Sequence, residues 1–149
     1  MIYLDNAATS RFKPKCALDA LLFDVSHSAN SGRGSHDEAV DKSIRIQKCR
    51  DYLLSMLGAR EEYSLVFTKN CTEALNLAIF GLVNGGEKVV TSTNEHNSVL
   101  RPLYKLKSEG KISLDVVKAD RSGHIWLEDV EKYAKYADIM VFGGACNVT

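Results

Sequence analysis

The chain has 149 residues, 45% of them hydrophobic, and its nineteen basic and nineteen acidic side chains cancel. That is enough apolar content for one real core, which excludes a disordered segment. Neither charge sign is gathered into a block and the longest apolar run, 77–83, is too short to span a bilayer, so partners such as nucleic acid and membrane are set aside in favour of a small molecule.

The N-terminus, MIYLDNAATS, has no basic start followed by an apolar core, which points to a cytoplasmic protein. Cys16, Cys49, Cys71 and Cys146 lie far apart, without a C-x-x-C pair or a nearby His at metal-ligand spacing, and read as free thiols with no metal site.

In chain order, 36–57 carries Ala39, Ile46, Cys49, Leu53 and Met56 at helical spacing, with Gly58 placed as a left-handed cap. Four β-type runs follow, at 64–68, 88–92, 112–117 and 138–142. The helical segments 72–84, 98–108 and 126–136 separate them. Strands joined by helical crossovers give an α/β fold with a mostly parallel sheet and helices on both faces. The 72–84 segment is apolar nearly all round, and the pattern predicts that it is buried more deeply than the other helices.

Ligands of such sheets bind beyond the carboxyl ends of the strands. Three loops there carry polar or small residues: 69–73 (Lys-Asn-Cys-Thr-Glu), 93–97 (Thr-Asn-Glu-His-Asn) and 143–147 (Gly-Gly-Ala-Cys-Asn). Asn70 is a good N-cap and Glu73, three residues on, completes a capping box, so helix chemistry alone accounts for the first loop. The same geometry also aims backbone N–H groups and a positive dipole end at an anion. The glycine patterns of dinucleotide and P-loop sites are absent. His96 suits either a surface loop or a site, and Asn147 suits either a helix start or a ligand contact.

The segments YLDNAATS (3–10), SGRGSH (31–36), VFTKNCTEALNLAI (66–79), NEHNSVLRPL (94–103) and CNVT (146–149), in this order, resemble the class V aminotransferase family, most closely its cysteine desulfurase-like members. The resemblance covers essentially the whole chain. It implies a pyridoxal 5'-phosphate enzyme of fold type I acting on an amino acid, L-cysteine in the desulfurases, where sulfur passes to a cysteine thiolate as a persulfide and alanine is left. Residue by residue it implies that Cys71 and Thr72 hold the cofactor phosphate, that the ring of His96 stacks on the pyridine and takes part in proton transfer, and that Asn147 hydrogen-bonds the phenolic oxygen. It further implies a homodimer, an N-terminal segment 1–30 near the active-site entrance, and a large-domain portion 31–149.

The alternatives within the family are selenocysteine lyase and other class V aminotransferase activities; a non-catalytic dimerisation or regulatory module is the alternative outside it. The sequence departs from the family where Gly144-Ala145-Cys146-Asn147 stands in place of a common His-Ala-Ser-Asn run. It also stops before the family's pyridine-facing Asp, its Schiff-base lysine and its nucleophilic cysteine. The expectation is therefore that these 149 residues alone do not bind the cofactor covalently or release sulfur.

Overall fold

The computed structural model describes residues 2–59 and 62–145, which fall into two compact units, Met1–Phe67 and Thr68–Thr149. The first unit holds helices α1 (Lys15–Ser26) and α2 (Asp37–Met56). Asp24 pairs with Lys42, and the Arg45 guanidinium stands 5.0 Å from the Phe23 ring centroid, so charge and cation–π contacts join the two helices. The expected 36–57 helix is present. It ends at Gly58, whose φ of 63° is the left-handed conformation that glycine adopts without Cβ strain. Helix α1 was not expected from the sequence. None of its residues is buried. Within the SGRGSH run, a Cβ on Gly34 would stand 2.5 Å from the Ala39 Cβ, so only glycine lets this loop lie against the buried Ala39 of α2.

The second unit follows the expected alternation: α3 (Cys71–Leu82), β1 (Glu87–Ser92), α4 (Asn97–Ser108), β2 (Ile112–Val117), α5 (Leu127–Ala134) and β3 (Ile139–Met140). All pairings are parallel and the order is β2-β1-β3, with β1 central. Val89, Leu114 and Ile139 share one face, where they pack with α3 and α4 through Ile79, Val99, Leu103 and Leu106. The opposite face carries Asp115, which accepts a hydrogen bond from the Tyr136 hydroxyl just beyond α5 at 3.3 Å. The sheet is thus covered on both faces, as a parallel sheet requires.

Three expectations are corrected. Residues 64–68 form no strand: a strand exists only as a rung of a ladder, and no described segment pairs with this one, leaving Val66 71% exposed. The last strand is reduced to Ile139–Met140 because only those residues pair with β1. Finally, the most deeply buried helix is α4 rather than α3. In α4, Ser98, Val99, Pro102, Leu103 and Leu106 form one buried stripe, whereas Ile79 is the one buried residue of α3, and Leu77 is 62% exposed. An all-apolar helix in contact with neighbours on one side leaves its other side bare.

This distribution predicts unequal costs for two similar substitutions. Leu103→Ala should destabilise the second unit by about 2–5 kcal/mol, and Leu77→Ala by under about 1 kcal/mol. Chemical denaturation of the two variants checks this; equal losses would contradict the packing described.

Candidate active site

Residues of the three polar loops meet around a cavity of about 650 Å³, walled by Cys71 and Thr72, by the 93–96 loop with the first turn of α4, and by Val141, Phe142 and Gly143. The first wall is the start of α3. The Asn70 side chain accepts from the Glu73 N–H at 2.9 Å, and the Glu73 carboxylate reaches back to the Lys69 N–H at 2.7 Å. This is the expected capping box with one change: the returning bond goes to the residue before the cap. Among the described residues no acceptor meets the backbone N–H of Cys71 or Thr72, nor the Thr72 hydroxyl. Two main-chain donors and a hydroxyl are thus left at the positive end of a twelve-residue helix.

The second wall is set by His96, the N-cap of α4. Its Nδ1 lies 3.1 Å from the Ser98 N–H and 2.9 Å from the Ser98 hydroxyl. A backbone N–H can only donate, so Nδ1 is the acceptor and the neutral ring carries its proton on Nε2. Cap and candidate stacking group are one side chain, a dual role that the sequence did not show.

Pro102 explains how these walls are joined. Lacking an N–H, it cannot satisfy the Ser98 carbonyl one turn earlier in α4. The Asn76 side chain of α3 donates to that carbonyl at 3.3 Å and to the Thr72 carbonyl at 2.8 Å. The first turns of α3 and α4 are therefore linked through a group that proline leaves unpaired. Asn76 went unnoticed in the sequence, although a Pro inside a helix signals an orphan carbonyl that some donor must meet.

Further bonds fix the 93–97 loop. The Thr93 hydroxyl accepts from the Ala119 N–H at 2.9 Å, and the Asn94 amide donates to the Gly123 carbonyl at 2.6 Å. Gly123 belongs to a turn organised by Asp120. The Ser122 hydroxyl, foremost, and the His124 N–H hold the Asp120 carboxyl below its ordinary pKa. Cys71, Thr72 and His96 are thus brought to one cavity, while Asn147 and Cys146 lie outside the described residues.

The sequence profile described as aminotransferase class-V matches residues 2–149. The chain belongs to the class-V aminotransferase family. Among its curated relatives, probable cysteine desulfurases of Pyrococcus abyssi and a Synechocystis species are each 32% identical, over 94% and 86% of this chain but 35% and 31% of their own lengths. The chain thus spans about a third of these family members. Among solved structures, an apo cysteine desulfurase from Thermococcus onnurineus matches with a TM-score of 0.87 and 32% identity, over 98% of this chain and 37% of that one. The fold is also that of a cysteine desulfurase from Escherichia coli, at a TM-score of 0.77 and 23% identity, over 99% of this chain and 38% of that one. No helix among the described residues is long and apolar enough to cross a membrane.

The Asp120 turn has a defined acid response. Its folded carboxyl has a lowered pKa, so its stabilisation is complete above the ordinary aspartate value and is lost as pH falls from there through the lower folded value. Amide resonances of Ser122, Gly123 and His124 should therefore move together in that acid window, and Asp120→Asn should abolish the common step.

Proposed function

We propose that this chain forms the phosphate-holding and ring-holding part of a pyridoxal 5'-phosphate-dependent cysteine desulfurase, with L-cysteine as the amino-acid substrate. The observation that carries the proposal is the set of donors at Cys71 and Thr72, without acceptors among the described residues, in the same cavity as His96. A phosphate dianion fits that end of α3, because it accepts from both N–H groups and from the Thr72 hydroxyl and lies at the positive pole of the helix dipole. Asn70 fits the same reading. By taking the Glu73 N–H it caps the helix without consuming the two donors in front of it.

When bound, pyridoxal phosphate supplies an electron sink for a carbanion next to the substrate nitrogen. The chain's own residues hold and orient. The backbone of Cys71 and Thr72 anchors the phosphate, while His96, pinned through Nδ1, offers its ring face and holds a proton on Nε2 as a hydrogen-bond donor. Asn147 is assigned to the phenolic oxygen by the family resemblance alone. Cys71 serves here as a small residue beside an anion, not as the sulfur-accepting thiol. A homodimer in the cytoplasm, with 1–30 at the active-site entrance and 31–149 in the large domain, completes the proposal.

Alkylation of the cysteines tests the phosphate site without an activity assay. Cys16, Cys49 and Cys71 are all exposed, so iodoacetamide should reach all three. Pyridoxal phosphate and inorganic phosphate should each slow modification at Cys71 and leave Cys16 and Cys49 unchanged, as read by peptide mass mapping; an unprotected Cys71 would remove the assignment. Thr72→Ala should weaken cofactor binding by about 1–3 kcal/mol, the range for a charge-assisted contact.

The ring role has a separate test in the full-length enzyme. His96→Ala should shift the visible absorption band of the bound cofactor and lower kcat more than it raises KM. A change confined to KM would show that His96 does not stack.

A further inference from the structure

Beside His96, Glu95 occupies an unusual position for a glutamate in a strand-to-helix loop, where the side chain ordinarily faces water. Its Oε1 folds back across the carboxyl edge of the sheet and accepts from the Gly143 N–H at 2.6 Å, from the loop that follows β3. The same oxygen faces the Ser92 hydroxyl at 3.0 Å, at the end of β1. Ser92 is fully buried, and its oxygen already accepts from the Asn94 N–H at 3.2 Å, so its proton is directed at Glu95. Both bonds to Oε1 are charge-assisted and therefore stronger than neutral ones.

Gly143 gives an independent sign of the same contact. A Cβ there would stand 3.2 Å from the Glu95 Oε2 and 3.6 Å from Oε1, so any side chain at 143 presses on the carboxylate. Glycine leaves the carboxylate its full room here, and a larger residue would push its oxygens aside by a few tenths of an ångström.

We infer that Glu95 is a positioning residue for the ring side of the site: its carboxylate clamps the loop after β3 to the loop after β1, setting the gap between His96 and the Phe142–Gly143 wall. The role rests on the cofactor reading above. Phosphate itself is held elsewhere in the cavity, at the start of α3, so loosening the clamp separates two affinities that a general loss of structure would lower together.

Four proteins decide the matter: the wild type, Glu95→Gln, Glu95→Ala and Gly143→Ala. Each is measured for hydrogen exchange at the residue-143 amide and for affinity toward pyridoxal phosphate and toward inorganic phosphate. Glu95→Ala should speed exchange at Gly143 and weaken pyridoxal phosphate about tenfold, with inorganic phosphate changed by about twofold or less. Glu95→Gln keeps an oxygen acceptor and should restore most of both readouts, whereas Gly143→Ala should reproduce the split in affinity. Equal losses for the two ligands, or a glutamine variant as impaired as the alanine one, would overturn the positioning role. Exchange at Gly143 indifferent to Glu95 would overturn the clamp even in a protein that binds both ligands. A wild type that binds neither ligand would defeat the cofactor reading and the positioning role with it, while the exchange data would still report on the clamp itself.

Discussion

The constraint on which the rest of the site depends is the need of the central strand's carboxyl end to satisfy its polar groups without water. Thr91 and Ser92, at that end of β1, are fully buried. Each must find a partner, because an unpaired buried hydroxyl costs about 1–3 kcal/mol. Thr91 donates to the Val141 carbonyl at 2.9 Å and Ser92 to Glu95, so both bonds tie β1 to what surrounds its exit. Thr93, Asn94 and Glu95 then reach the segments after β2 and β3. A loop that would ordinarily be mobile becomes the fixed point of the cavity, with His96 at its end.

The two helices that open into the cavity solve the same end problem differently, and the difference decides which of them suits an anion. In α4, His96 takes the Ser98 N–H with its own ring, so the second position of the first turn is already occupied. In α3, Asn70 takes the third position and leaves the first two. A helix end whose leading donors are consumed by its cap has little to offer a phosphate, whatever its dipole. The anion site therefore belongs to α3 and the aromatic wall to α4, with Asn76 holding them together through the carbonyl that Pro102 leaves unpaired.

The α/β alternation, the capping box at Asn70 and Glu73, and the gathering of residues from the 69–73 and 93–97 loops with the start of the 143–147 loop were legible in the sequence because each depends on local pattern: period, cap chemistry and glycine punctuation. What was not legible depends on partners distant in the chain. The segment 64–68 has strand composition, but composition does not supply a neighbouring strand. Helix α3 has an apolar circumference, yet how much of it is covered depends on what lies against it. Glu95 reads as an ordinary loop carboxylate until its contact with Gly143, forty-eight residues later, is seen.

Glycine at 143 and proline at 102 show how two residues usually read as loop and breaker become parts of a site. Pro102 removes one donor and so creates a demand at the Ser98 carbonyl, which Asn76 meets from another helix; the loss of one local bond becomes a link between two elements. Gly143 removes one side chain and so permits a carboxylate to approach its backbone N–H to 2.6 Å. In both cases something absent from one residue is matched by a polar side chain from elsewhere in the same unit. The matching is what orients the first turns of α3 and α4 and the exit of β3 toward one cavity. The tight geometry of the site therefore rests on polar satisfaction, since the apolar packing beneath it, through Val89, Val99 and Leu103, fixes the layers but leaves the loops above them free to choose their positions.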